Sequence, residues 1–204
     1  MNRSRRLALG LCSVLILSLS NSPTSAAEKI TLVMTADQVG GYSRNLFKHW
    51  IDADKDGCNT RYEVLIAEAI VKPKVGAGCY LTGGKWKSSY DGKVFTNPTG
   101  LDIDHMVPLA EAWRSGAWAW TASQRMEFAN DLDDSRSLLA VTASLNRSKG
   151  DRDVADWLPV KAQCAYISNW IAVKSRFDLT VDPTEGEFLQ SKITSCKITN
   201  VTIA

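Results

Sequence analysis

The sequence predicts an α+β fold whose centre runs strand, helical insert, strand, helix. Three observations carry that prediction. Leu101-Asp102-Ile103-Asp104-His105-Met106-Val107 interleaves apolar and polar residues and stops at Pro108, so residues 102–107 read as a strand. Leu138 to Thr142 is a short, continuously apolar run of the kind a buried strand shows. Between them, Leu109 to Trp113 and Ala122 to Leu132 place apolar residues at helical spacing, Met126, Phe128, Ala129 and Leu132 lining one face.

The first residues stand apart from that domain. A basic start (Arg3, Arg5, Arg6), an apolar run from Leu7 to Leu19 and the small residues Ser25-Ala26-Ala27 make residues 1–27 a secretory signal peptide, cleaved after Ala26 or Ala27. The apolar run is too short for a membrane span, so no membrane association is expected once it is removed. Cys12 leaves with it. The remaining 28–204 suit one globular domain, with its core over about residues 100–160, since 45% hydrophobic content over a chain of 204 residues buries a real core. The chain is expected to act as a monomer.

Loss of the three leader arginines leaves 21 basic residues against 22 acidic ones, which excludes a global basic field. Any affinity for nucleic acid must then come from a local patch or a bound cation. Four cysteines remain in an exported chain, and an even number favours two disulfides. Cys58 with Cys79 and Cys164 with Cys196 each close a loop within one half of the chain. A zinc site of all four is the rival, weakened by the absence of a Cys-x-x-Cys knuckle.

Taken in order, Leu46, Phe47, Trp50 and Ile51 predict a helix over residues 42–51, with His49 packed or on its surface. A second helix follows from Thr60, which with Glu63 forms a capping box. The intervening segment satisfies D-x-[DN]-x-[DN]-G-x5-E, with Asp52, Asp54, Asp56 and Glu63 at the calcium-ligating positions and Gly57 at the turn. Two readings stand: a structural calcium loop, or a solvated acidic turn with a helix cap. From Pro73 to Pro98, short apolar runs broken by Gly83-Gly84 and Asp91-Gly92 predict hairpins. Beyond Pro159, Cys164, Ile167 and Ile171 predict an amphipathic helix reaching Phe177, and Gly186 to Ser195 a shorter one. The seven tryptophans are expected to build core.

The chemistry concentrates in two segments. Asp104 and Asn146 offer hard oxygens suited to magnesium or manganese, and His105 offers a base whose unperturbed pKa of about 6.5 leaves it neutral near pH 7. Strand alternation puts Asp104 and His105 on different faces, able to flank one phosphate. Asp102 shares the Asp104 face as an auxiliary carboxylate. Arg147, Lys149 and Arg152 could hold neighbouring phosphates, as could the amides of the helix start at Asn146. Asp151 is expected to pair with Arg152. Each signal is weak alone, since Asp-His is commonly a structural pair and Asn a helix cap; their joint order raises the reading.

Asp102-Ile103-Asp104-His105-Met106-Val107-Pro108 and Leu139-Ala140-Val141-Thr142-Ala143-Ser144-Leu145-Asn146-Arg147-Ser148-Lys149-Gly150-Asp151 resemble the two halves of an HNH nuclease of the ββα-metal superfamily. They are similar to the HNH domain of RNA-guided CRISPR nucleases, and more closely to the C-terminal HNH domain of GmrSD-type restriction enzymes and its secreted relatives. Trp113-Arg114-Ser115-Gly116, Phe128-Ala129-Asn130-Asp131-Leu132, Asp156-Trp157-Leu158-Pro159 and the segment from Asp56 to Leu65 fit that branch too. The resemblance implies a ββα-metal core with a helical insert and an N-terminal helix and hairpin extension. It implies His105 as general base, with Asp104 and Asn146 as ligands of one divalent metal. The last His of the usual signature is absent, and Asn146 fills its place, which points to Mg or Mn. The expected function is a secreted endonuclease of low sequence specificity acting on DNA, with RNA left open as a further substrate, and leaving 5′-phosphate and 3′-hydroxyl ends. The rival is a non-enzymatic, calcium-stabilised extracellular binding protein. Another secreted hydrolase would need a Ser or Cys nucleophile with a suitable His partner, which the sequence does not offer.

Overall fold

In the computed structural model, which describes residues 29–204, strand β1 (Ile30–Leu32) and a long irregular stretch lead to helix α1 (Thr60–Glu68). Two small hairpins follow, β2 (Lys74–Val75) with β3 (Leu81–Thr82) and β4 (Trp86–Lys87) with β5 (Val94–Phe95). Then come β6 (Leu101–His105), α2 (Leu109–Arg114), α3 (Ala122–Ala129), β7 (Leu138–Thr142), α4 (Ala143–Lys149), α5 (Gln163–Arg176), α6 (Pro183–Ser195) and β8 (Val201–Ile203). The expected leader, with Cys12, lies outside the described residues. Among those described, no helix is long and apolar enough to cross a membrane.

Strands β6 and β7 pair antiparallel, with Asp102 opposite Val141, Asp104 opposite Leu139 and His105 opposite Leu138. Alternation then sorts the side chains. Leu101, Ile103, Leu138 and Ala140 join a cluster with Val64, Leu65 and Trp86 on the α1 side. Val141 joins Met106, Val107, Phe128, Tyr166 and Trp170 in a second cluster. Enclosure on both faces explains why β7 reads as a continuous apolar run, whereas β6 alternates. Its outer edge is closed by side chains: Ala140 N donates to Glu68 Oε2 (2.8 Å) and Thr142 N to Ser88 Oγ (3.1 Å).

The α+β class and both cysteine pairs agree with the sequence. Cys58 pairs with Cys79 and Cys164 with Cys196, at Cα separations of 5.1 and 5.2 Å. The first bridge ties the segment before α1 to the turn before β3; the second joins the start of α5 to the end of α6.

Several expectations are corrected. The helix expected over residues 42–51 shrinks to a single 3-10 turn, Arg44–Leu46, after which Trp50 takes a left-handed φ of 57°. A helix would hold Phe47 and Trp50 on one face, but Phe47 belongs to the second cluster while Trp50 packs against the first. Thr60 does not cap α1. Asn59 does, accepting from Tyr62 N, which frees the Thr60 hydroxyl to share its one hydrogen between Ile51 O (3.0 Å) and Asn130 Oδ1 (2.8 Å). Helix α3 ends at Ala129 because the Asn130 side chain turns back, donating to Met126 O (2.7 Å) and Lys48 O (2.8 Å). Helix α6 starts before Gly186, at Pro183, where Asp182 accepts from Thr184 N and Glu185 N. The strand expected over 102–107 is β6, one residue earlier at its start and ending at His105. Trp86 and Trp170 are buried, but Trp118 is half exposed, so the tryptophans do not all build core.

Glu68, the edge acceptor on α1, makes the fold sensitive to pH. Burial lifts its carboxyl from the ordinary 4.5 to about 7, against the pull of the Ala140 N–H. The folded chain therefore binds this proton more tightly than the unfolded one. The stability it contributes is complete below about pH 4.5 and is lost as pH rises through about 7. Glu68→Gln is expected to flatten that decline: urea-unfolding midpoints should match the wild type near pH 5 and exceed it at pH 8.

Candidate functional site

A cleft of about 290 Å³ opens where the end of β6 faces α4, and Asp104, His105, Asn146 and Arg147 all line it. The three residues on which the sequence reading turned thus share one wall.

Asp104 is almost completely buried, yet its two oxygens live differently. Oδ2 accepts from the Tyr90 hydroxyl and from Lys149 Nζ (2.6 Å). Oδ1 has no hydrogen-bond partner among the described residues. Lys149 Nζ also donates to His105 O and Met106 O, each at 2.9 Å, so three acceptors match the three hydrogens of an ammonium. The pair is therefore ionic. Burial raises the Asp104 carboxyl and lowers the Lys149 ammonium, and each opposes the shift of the other. Burial beside Asp104 pushes the Tyr90 phenol well above its usual range, so it remains a donor.

His105 lies between Trp50, with ring centroids 5.5 Å apart, and Phe128, stacked at 6.3 Å. Its Nε2 faces Ala129 O at 3.0 Å. A carbonyl only accepts, so Nε2 carries the proton and Nδ1 keeps the lone pair. Burial pushes the imidazole down to about 3, with the Ala129 carbonyl pulling the other way and the charges of Arg44, His49 and Lys149 adding to the depression. The resting ring is neutral. Anionic phosphate beside it would raise its proton affinity.

Asn146 sits in the middle of α4, which begins at Ala143, so the helix start does not coincide with it as expected. Its Nδ2 points toward Asp102 Oδ2 (3.5 Å), leaving the amide oxygen without a partner among the described residues. Asp104 Oδ1 and the Asn146 amide oxygen, on two residues of one cleft, are hard donors of the kind that magnesium and manganese take. Asp102 Oδ2 also lies 3.4 Å from Arg147 Nε, and Arg147 extends into solvent.

Two expectations change. Lys149 cannot hold an external phosphate, because it is wholly buried and its donors are taken. Arg152 stays exposed while its Nε donates to Lys149 O (3.1 Å). Asp151 pairs with Arg114 (3.8 Å), and Arg114 also donates to Asp151 O (2.7 Å). Sequence reasoning missed Tyr90, Trp50 and the cleft residue Arg44. The helical phase of Lys149 was readable: it lies four residues after Leu145 and three after Asn146, on their face of α4.

The acidic loop lies apart from this cleft. Asp52, Asp54 and Asp56 bring one carboxylate oxygen each within 4.8 Å of one another, and Gly57 N donates to Asp52 Oδ2 (3.1 Å). Burial and the repulsion of Asp56, Asp54 and Asp52 raise the Glu63 carboxyl. Cys58 is consumed by its disulfide and offers no thiolate. His49, in a turn and not a helix, meets Phe47 O through Nδ1 at 2.8 Å.

Residues 61–191 match the family model of the C-terminal domain of GmrSD restriction endonucleases. An uncharacterised secreted protein of Arthroderma benhamiae is 44% identical over 158 residues, covering 76% of each chain. No solved structure matches.

The two cations of α4 should respond oppositely to removal. Lys149→Met strands a buried carboxylate and is expected to destabilise by about 3 kcal/mol in urea unfolding. Arg147→Met, at an exposed position, should leave the midpoint unchanged.

Proposed function

The chain belongs to the family of the C-terminal domain of GmrSD restriction endonucleases, and from that premise we propose that the cleft is the active site of a secreted, divalent-metal-dependent endonuclease of the ββα-metal type. Strands β6 and β7 with helix α4 correspond to the two strands and the helix of that motif. One observation carries the reading: a neutral imidazole, its Nε2 committed to Ala129 O, lines the same cleft as Asp104 and Asn146, each with a hard oxygen that has no hydrogen-bond partner among the described residues. Asp104 and Asn146 are the residues to hold the cation, which when bound supplies charge relief at the scissile phosphate and the departing oxygen.

The protein supplies the rest. His105 Nδ1 takes the proton from the attacking water, and the Ala129 carbonyl fixes the ring so that the lone pair stays in place. Lys149 and Tyr90 hold Asp104 through one oxygen and leave the other for the cation. Asp102 orients Asn146 and Arg147. Arg147 and Arg44 meet the flanking phosphates. Phosphate contacts carry no base information, so cleavage of DNA and RNA with little sequence preference follows, leaving 5′-phosphate and 3′-hydroxyl ends. The enzyme acts as a monomer. The leader pattern, the two disulfides and the secreted relative support export. In the acidic loop, Asp52, Asp54, Asp56 and Glu63 would hold a structural calcium.

Supercoiled plasmid incubated with the mature protein and magnesium or manganese tests this. The wild type should nick and linearise it, and His105→Ala should reduce the rate at least about 100-fold while keeping its circular dichroism spectrum. Intact plasmid with folded wild-type protein in every metal would favour a calcium-stabilised binding protein instead. Asp52→Ala should leave the rate in magnesium within about two-fold and abolish the rise in Tm produced by calcium.

A further inference from the structure

Beside the cleft lies a second recess, also about 290 Å³, lined by Val39, Gly40, Tyr42, Ala110, Trp113 and Asp151 among others. Tyr42, Ala110 and Asp151 line both cavities, so the two adjoin. We infer that this recess receives one unpaired nucleobase of the substrate strand, adjoining the phosphate held in the cleft. The inference rests on the nuclease reading and adds a preference for single-stranded or locally opened nucleic acid.

The chemistry of the walls favours a base over a phosphate. They are mainly apolar and aromatic, with Val39 90% exposed at the mouth. The charges at the rim are acidic or already paired: Asp151 is largely exposed, and Arg114 is engaged by Asp37 (3.0 Å) and Glu111 (2.6 Å). An anionic rim repels phosphate and accepts hydrogen bonds from the amino groups of a base. The exposed guanidinium groups of Arg44 and Arg147 line the cleft and not the recess. Phosphate on one side and base on the other matches the alternation of a nucleotide chain.

The recess is also preformed. Trp113 Nε1 donates to Gly40 O (2.9 Å), and Tyr42 and Phe47 each meet the Trp113 ring edge-on at 6.5 Å. Gly41 is required for that closeness: a Cβ there would stand 3.3 Å from Trp113 Cζ2, at a φ of +77° that disfavours side chains. A rigid pocket of this size has room for a purine, but only for one no longer stacked and paired in a duplex.

The mature protein with magnesium should be given one oligonucleotide in three forms: single-stranded, duplex, and single-stranded with one abasic nucleotide. The single strand is expected to be cut about ten-fold faster than the duplex at limiting concentration, with cleavage at the phosphate flanking the abasic position suppressed about ten-fold. Val39→Asp should raise KM for the single strand several-fold. Equal cutting of all three forms by active enzyme would overturn the inference and leave the nuclease reading intact. Should nothing be cut in any metal, the nuclease reading fails, and fluorescence anisotropy still decides the recess. Tighter binding of the intact than of the abasic strand supports it, and equal binding removes it.

Discussion

Taking an ammonium and a carboxylate out of water costs several kcal/mol each, and their attraction offsets this only when geometry and extra hydrogen bonds are favourable. Lys149 meets those conditions. Its Nζ is held by the Asp104 carboxylate and by the His105 and Met106 carbonyls, and it lies 5.6 and 5.9 Å from the ring centroids of Tyr166 and Trp170. One side chain on α4 thereby fixes the end of β6. The free Asp104 oxygen, the aim of the His105 ring and the position of Asn146 on the same helix all depend on that fixation. Without it the cleft would lose the shape that brings base and hard oxygens together.

A second buried lysine works in the same way farther back. Lys174 on α5 bonds Glu111 Oε1 on α2 (2.6 Å), Glu185 Oε2 on α6 (3.0 Å) and Thr180 O (2.8 Å). Burial lifts the Glu185 carboxyl to about 7 even against that lysine. Glu111 then reaches Arg114, which reaches Asp37 and Asp151 at the recess. Lys174, Glu111, Glu185 and Arg114 thus join three helices in one connected polar network, whose outer end forms the rim beside the cleft.

The strand, insert, strand, helix order was legible because periodicity reports burial, and β6 and β7 are enclosed on both faces. Asp104, His105 and Asn146 were legible through their chemistry and spacing. Of Lys149 only the helical phase was legible and not the burial, since lysine is almost never buried and composition counted it with the solvated cations. Arg44 and Trp50 were hidden for another reason. Their segment carries helical spacing, but Phe47 and Trp50 go to different clusters, a tertiary demand that overrides the local pattern. Tyr90 acts from a hairpin distant in sequence, where only the fold reveals its hydroxyl on Asp104.

The pairing of β1 with β8 is parallel and joins Ile30 to Val201, Thr31 to Thr202 and Leu32 to Ile203. Leu32 and Ile203 enter the same cluster as Met106 and Val107, directly behind the cleft. Contacts between residues so far apart along the chain form late, because loop closure must precede them. A ribosome delivers the first strand long before its partner exists. The cluster is therefore incomplete until Val201–Ile203 has emerged, and a shorter nascent chain cannot assemble it.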